Sequence, residues 1–187
     1  MNEPIELDAL KANSPSEVAT VQATLTSCSI SSHLPNGYKK TDIFGYDEAR
    51  ETFNAANDLY AIDDNGYLNN TWLLVTTMLS VKNDNNFSCK VNLGTLRIAH
   101  IEDNQNLVTI ADYDPWIING TQTKEEYYLP TLTSHSHNNF IIGFFIPKSS
   151  LTQADCLLAE NRKDQGDSTT VKTIYIGDIT RQYDTSS

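Results

Sequence analysis

The alternation of apolar and polar positions is clearest between Asn69 and Phe87, the most hydrophobic run in an otherwise polar chain. Its β-branched residues lose rotamer freedom in a helix but pack well in a strand. One face is the more uniformly apolar of the two, and consists of Leu73, Val75, Thr77, Leu79 and Val81. The other face, which begins at Trp72, is only partly apolar. The pattern predicts a buried strand, central in its sheet and covered at one end of its second face. The apolar part of the run, which lies between two turn clusters, falls short of the roughly 18 residues that a membrane span requires.

A change of phase interrupts the next-clearest pattern. The apolar positions of residues 21–25 alternate in one phase, whereas Cys28 and Ile30 alternate in the other. A strand can keep both sets on one face only if it accommodates one extra residue. The sequence therefore predicts a β-bulge or a change of face at Thr26 and Ser27.

The remaining pattern predicts short strands, tight turns and one short helix. Residues 47–56 combine helix formers with early acidic residues, which predicts a helix. Asn36–Gly37 and Asn65–Gly66 predict turns, because both residue types tolerate positive φ. Further strands are predicted within residues 90–101, 107–113, 125–132, 138–147, 154–160 and 170–179. Pro130 makes the third of these an edge strand, since proline cannot donate to a ladder. Short strands between Asn, Asp, Gly and Ser turns are typical of an antiparallel sandwich or barrel.

Composition and charge narrow the possible partners. A chain of 187 residues fits one domain, and 24 acidic against 13 basic residues give a formal net charge of −11. Such a chain repels phosphate backbones and anionic lipid, so nucleic-acid and direct membrane binding are not expected. Residues 1–18 are polar and contain Pro4 and Pro15, which predicts a flexible linker that follows a missing export or lipoprotein signal. Residues 182–187 are expected to be a C-terminal tail.

The order of strands and turns resembles a known family. The resemblance rests on four stretches of sequence: "AIDDNGYLNN", "TWLLVTTMLSVKND", "LGTLRIAHIEDNQN" and "SHSHNNFIIGFFIPKSSL". They resemble the telokin-like, immunoglobulin-like extracellular domains of unknown function in Gram-positive bacterial lipoproteins, the structural group of a mycobacterial secreted immunoprotective antigen. The resemblance implies an all-β, immunoglobulin-like antiparallel β-sandwich over residues 19–181, with one short helical insertion and seven to nine strands. It also implies an exported, lipid-anchored protein of the cell envelope.

The segment from residue 112 to residue 128 is the strongest candidate for a binding site. Tyr113, Trp116, Tyr127 and Tyr128 lie among acidic residues in what the pattern predicts to be a long loop. Loops on rigid sandwiches often carry binding function, and Trp and Tyr are favoured anchors at interfaces. The alternative is that Trp116 and one tyrosine only plug the sandwich edge. An exposed Trp116 beside Tyr113 or Tyr127 would favour a binding surface.

Other candidate sites have simpler explanations. His135 and His137 could share a metal on a strand, but their neighbours are turn residues and supply no further ligand. Asp63, Asp64 and Asn65 lack the ligand spacing of a calcium loop and fit a turn. Cys28, Cys89 and Cys156 form no zinc spacing, allow at most one disulfide, and are expected to act mainly as buried small hydrophobes. No metal or cofactor is expected.

The sequence favours a binding function over catalysis. It contains no nucleophile elbow, P-loop, dinucleotide fingerprint or zinc-protease motif, so an enzyme is not expected. The preferred interpretation is an exported, non-catalytic binding domain whose unknown partner is a protein or glycan at the cell surface. The alternatives are a structural spacer of the envelope, a carbohydrate-active or metal-dependent enzyme, and a viral jelly-roll capsid or spike domain.

Overall fold

The computed structural model describes residues 3–57, 60–101, 107–110, 113–153, 156–163 and 169–175. Strands are the predominant secondary structure of these residues, as the sequence predicts. The strands are β1 (Ile5–Lys11), β2 (Ser14–Ser31), β3 (Trp72–Asn83), β4 (Cys89–Val91), β5 (Arg97–Ile101), β6 (Leu107–Thr109), β7 (Trp116–Ile117), β8 (Thr131–Leu132), β9 (Ser136–Pro147), β10 (Cys156–Lys163) and β11 (Thr169–Tyr175). One α-helix, α1 (Tyr46–Ala56), and two short 3-10 helices, Lys40–Asp42 and Lys148–Gln153, complete the described part. None of its helices is long and apolar enough to cross a membrane.

The strands form two antiparallel sheets. The larger has seven strands in the order β7-β9-β3-β2-β1-β4-β8 and curls into a half-barrel. The smaller has four strands in the order β11-β10-β5-β6. The all-β antiparallel architecture with one helix is confirmed, and the described chain has more strands than the seven to nine expected. As predicted, the segment after Pro130 is an edge strand, but it is reduced to the two residues of β8.

Strand β3 lies in the interior of the large sheet, as its apolar pattern predicts. It pairs with β2 on one side and with β9 on the other. All five residues of its more uniformly apolar face are buried. On the second face Leu74 and Thr76 are buried, whereas Met78 and Ser80 are half-buried. The second face is therefore covered towards the N-terminal end of the strand.

The predicted β-bulge lies between β2 and β3. Leu25 is opposite Leu79 and Ser27 is opposite Met78, so Thr26 has no partner residue in the ladder. The Thr26 hydroxyl donates to the carbonyl of Met78 at 3.0 Å. In a regular strand, residues five positions apart point to opposite faces of the sheet. Leu25 and Ile30 are nevertheless both buried, which shows that the extra residue brings them to the same face.

The prediction that residues 1–18 form a flexible linker was wrong for the residues described. β1 forms a hairpin with β2, and its register runs from Ile5 opposite Ala23 to Leu10 opposite Val18. Leu7 and Ala9 are buried in the main core. The two prolines suggested a linker, but the alternation of Leu7 and Ala9 with acidic residues is a strand pattern.

The turns and the helix after β2 match the sequence prediction. Gly37 and Gly66 adopt positive φ, at 91° and 87°. The Asp63 carboxylate accepts hydrogen bonds from the backbone N–H groups of Asn65 and Tyr67, at 2.8 and 2.9 Å. This Asx turn accounts for the acidic cluster without a calcium ion. Helix α1 begins immediately after Gly45, whose φ of 62° is favourable for glycine.

One buried amide attaches α1 to the chain that follows it. The Asn54 side chain donates to the carbonyl of Ile62 at 2.8 Å and accepts from its N–H at 2.9 Å. We expect Asn54→Ala to lower the free energy of unfolding by about 2–3 kcal/mol, because it leaves two buried backbone groups unpaired. Asn54→Asp keeps the acceptor but loses the donor, so it should also destabilise. Urea denaturation measures both variants.

The exposed Glu51 on the same helix provides the control. Glu51→Ala should change the free energy of unfolding by less than about 0.5 kcal/mol. If Asn54→Ala unfolds at the same urea concentration as Glu51→Ala, the anchoring role of Asn54 is wrong.

Candidate functional site

The four aromatic residues selected from the sequence line one cleft. The cleft has a volume of about 590 Å³ and lies where α1 meets the segment from residue 113 to residue 128. Its lining also includes Phe44, Gly45 and Lys124, four residues of α1, and Phe145 of β9. The four helix residues are Glu48, Ala49, Thr52 and Phe53. This volume falls in the range typical of small-molecule sites.

Phe53 is the central ring of the cleft. Its ring centroid is 4.8 Å from that of Tyr113, 4.8 Å from that of Phe145 and 4.9 Å from that of Trp72. It is buried, so these contacts fix α1 against β3 and β9. Edge-to-face and tilted arrangements at such distances are the preferred geometry of aromatic pairs.

Trp116 is part of the core. It is only 4% exposed, and its ring lies 4.5 Å from Phe145 and 4.9 Å from Tyr46. Its backbone pairs with Gly143 of β9 in the short edge strand β7. The exposed Trp116 that would have favoured an open binding surface is not observed. The alternative in which Trp116 and one tyrosine plug the edge of the sheet fits these contacts.

The two consecutive tyrosines have different environments. Tyr127 is buried, and its hydroxyl accepts a hydrogen bond from the N–H of Ile117 at 3.0 Å. Burial raises the pKa of Tyr127, and also that of the half-buried Tyr128. The two rings are 4.6 Å apart. A side chain at Gly94 would come within 3.1 Å of the Tyr128 ring, so the glycine makes room for it.

Tyr113 connects the segment from residue 113 to residue 128 to the C-terminal end of α1. Its half-buried ring packs against Phe53, and its hydroxyl donates to the side-chain oxygen of Asn57 at 2.8 Å. Tyr113 and Tyr128 are therefore the two predicted residues that keep substantial exposure at the cleft. Trp116 and Tyr127 also line the cleft but are buried.

The contribution of α1 to the cleft was not predicted from the sequence. Glu48, Ala49, Thr52 and Phe53 follow the spacing i, i+1, i+4 and i+5, which places them on one side of a helix. This spacing was readable once the helix had been predicted. Nothing local to the helix, however, indicates that this side faces residues more than sixty positions later in the chain.

Three charged side chains, those of Glu48, Asp114 and Lys124, line the cleft. The exposed Asp114 carboxylate forms an ion pair with Arg97 at 2.8 Å. Glu48 and Lys124 are both exposed, and neither takes part in an ion pair among the described residues. The cleft thus combines an aromatic interior with one uncompensated negative and one uncompensated positive charge in its lining.

The other sequence candidates do not assemble into a site. His135 and His137 are exposed, and His135 has a φ of 53° at the turn before β9. Across the described ranges, no group of three or more His, Cys, Asp or Glu side chains could hold a metal. Cys28 and Cys89 are free thiols; Cys89 is fully buried, and burial raises the pKa of Cys28 to about 12. The side chain of Cys156 lies outside the described residues.

The side-chain amide of Asn119 attaches the segment from residue 113 to residue 128 to strand β9. The Asn119 side chain donates to the carbonyl of Asn139 at 2.9 Å and accepts from the N–H of Ile141 at 2.6 Å. It therefore replaces a strand partner along the edge of β9. We expect Asn119→Ala to lower the free energy of unfolding by about 1–2 kcal/mol, because both bonds are partly solvent-exposed. Thermal denaturation checks this value.

A matched control for Asn119 lies in the same segment. Glu125 is exposed and carries no hydrogen bond to other described residues, so Glu125→Gln should leave the melting temperature nearly unchanged. A loss in Asn119→Ala no larger than that of Glu125→Gln would show that the side-chain amide does not support the edge.

Comparison with known proteins adds no assignment to this geometry: no protein-family model, no curated protein and no solved structure matches the chain.

Proposed function

We propose that this chain is a non-catalytic binding domain and that the aromatic cleft beside α1 is its binding site. The single observation that carries the proposal is the convergence of Tyr113, Trp116, Tyr127 and Tyr128 on one cleft of about 590 Å³. Small-molecule sites are typically concave, apolar and furnished with a few polar groups at defined positions. A cleft with aromatic walls and a small number of charged residues fits that description.

Binding explains the charged residues better than catalysis does. Glu48 and Asp114 are two carboxylates at one cleft, which is the minimum set for glycoside hydrolysis. A glycosidase, however, needs a carboxyl group that burial keeps protonated at neutral pH. Both carboxylates here are exposed, and Asp114 already forms an ion pair with Arg97. We therefore assign the Glu48 carboxylate to ligand recognition and that of Asp114 to its ion pair.

The proposed setting is the cell envelope. The order of strands and turns that resembles lipoprotein domains supports an immunoglobulin-like sandwich, export and a lipid anchor upstream of this sequence. Two antiparallel sheets and one helix are compatible with such a sandwich. Fractionation of a Gram-positive host that expresses the natural precursor tests the location. Recovery in the membrane fraction is expected, and recovery in the cytosol alone would contradict it.

A blocking variant tests the binding site. Thr52 is exposed on α1 and lines the cleft, whereas its neighbour Glu51 is exposed outside it. A thermal-shift screen of small aromatic molecules, amino acids and glycans is expected to yield compounds that stabilise the protein. A compound present at 100 times its Kd adds about 2.7 kcal/mol. Thr52→Trp should abolish these shifts and Glu51→Trp should preserve them.

A structural spacer is the second candidate. The burial of Trp116 and Tyr127 favours it, because these rings then serve only to seal the sheet edge. The spacer predicts a flat screen, or shifts that Thr52→Trp and Glu51→Trp affect equally. Either result would overturn the binding proposal.

A further inference from the structure

Three of the four hydroxyl groups that line the cleft are already engaged within the protein, and only that of Tyr128 has no hydrogen bond to a described residue. The Tyr113 hydroxyl donates to Asn57, and the Tyr127 hydroxyl accepts from the N–H of Ile117. The Thr52 hydroxyl donates to the carbonyl of Glu48 at 2.9 Å. A sugar presents many hydroxyl groups, and each must exchange its bonds to water for bonds to the protein. The cleft has few neutral partners left to offer them.

The charged groups of the cleft are a different case. The charge of Asp114 is balanced by Arg97. Glu48 and Lys124 line the same cleft and form no ion pair with each other or with any other residue described. One carboxylate and one ammonium therefore remain available beside walls of Phe and Tyr rings. Hydrogen bonds between oppositely charged groups are stronger than those between neutral groups.

We propose that the cleft binds a free amino acid with a large apolar side chain. The side chain occupies the space against Phe53 and Tyr113, the ammonium group binds the Glu48 carboxylate, and the carboxylate binds the Lys124 ammonium. This inference rests on the proposed binding function and names the ligand class of that same site. It places a small zwitterion there instead of the surface protein or glycan that the sequence suggested.

Calorimetric titration with four probes tests the charge requirement. The probes are L-phenylalanine, phenylethylamine without the carboxylate, 3-phenylpropionate without the ammonium, and methyl glucoside. Phenylalanine is expected to bind about tenfold or more tightly than either singly charged probe, since each lost contact is a charge-assisted hydrogen bond. Binding of methyl glucoside but not phenylalanine, or equal affinity for all three phenyl compounds, would overturn the inference.

Two charge-removing variants assign the contacts. Glu48→Gln should weaken phenylalanine about tenfold but leave 3-phenylpropionate unchanged, and Lys124→Gln should weaken phenylalanine but leave phenylethylamine unchanged. Glu51→Gln and Lys40→Gln remove exposed charges outside the cleft and serve as matched controls. Equal losses in the controls would show that only net charge matters, which contradicts the assignment.

The failure of this inference can be separated from failure of the proposed function. If phenylalanine does not bind but Thr52→Trp abolishes the shift caused by another compound, the cleft is a binding site and the ligand class is wrong. If Thr52→Trp reduces the thermal shift of no compound, the binding function itself fails.

Discussion

Replacing Asn83 by alanine is expected to lower the free energy of unfolding by about 3–5 kcal/mol, a large effect for a polar side chain. Asn83 ends β3 and is 0% exposed. Its amide nitrogen lies 2.9, 3.2 and 3.0 Å from the carbonyl oxygens of Phe87, Leu132 and Thr133, which share its two N–H donors. Alanine leaves these acceptors without their partner, and each unsatisfied buried group costs about 1–3 kcal/mol.

The acceptor side of Asn83 adds to this effect. Its oxygen accepts from the backbone N–H and the side-chain amide of Asn85, at 3.0 and 2.9 Å. One side chain therefore connects the end of β3, the turn that follows and the chain around β8. Asn83→Asp retains the acceptor but cannot donate to the carbonyls, so it should destabilise as well.

The neighbouring Asn86 supplies the control for Asn83. It is exposed in the same turn, and Asn86→Ala should change the free energy of unfolding by less than about 0.5 kcal/mol. Urea denaturation with linear extrapolation gives the three values. If Asn83→Ala costs under 1 kcal/mol, the three carbonyls have other partners and the account of this turn is wrong.

Trp116→Ala is expected to cost a similar amount, about 3–5 kcal/mol, because it removes a large buried side chain. The ring packs between Tyr46 and Phe145, and little of it reaches solvent. Its removal opens a void between α1 and β9 that the surrounding rings cannot fill without moving. The loss is in stability first, and any loss of ligand affinity follows from it.

Tyr113→Phe provides the contrast within the same cleft. This change keeps the ring against Phe53 and removes only the hydroxyl that bonds Asn57. It should cost about 1 kcal/mol or less, because the bond is exposed. If Trp116→Ala lowers the free energy of unfolding no more than Tyr113→Phe does in chemical denaturation, Trp116 is not a core residue. That result would favour an exposed aromatic binding surface.

Local patterns in the sequence predicted the features that depend on neighbouring residues. The alternation in β3, the extra residue at Thr26 and the turns at Gly37 and Gly66 all follow from spacing or from backbone preference. The helix over residues 46–56 belongs to the same class. Each of these features is encoded within about ten residues.

Features that depend on tertiary contacts could not be predicted in the same way. Nothing in the sequence indicated the role of Asn83 at the end of β3, since its three acceptors lie 4, 49 and 50 positions away. The sequence left Trp116 open as either an exposed anchor or a plug of the sheet edge, because nothing near it in sequence specifies Tyr46 or Phe145 as neighbours. The aromatic composition of the segment pointed to four residues that line one cleft, but it could not tell which of them are buried.

The most direct test of the binding cleft is an NMR titration of the isotope-labelled chain with L-phenylalanine and with a mixture of small aromatic fragments. We expect the amide chemical shifts to change at Glu48, Thr52 and Phe53 of α1 and between residues 113 and 128. Amides of the β1–β2 hairpin should not change. Shifts that stay constant around the cleft at millimolar ligand, or that change only elsewhere, would contradict the claim that this cleft is the site at which the protein works.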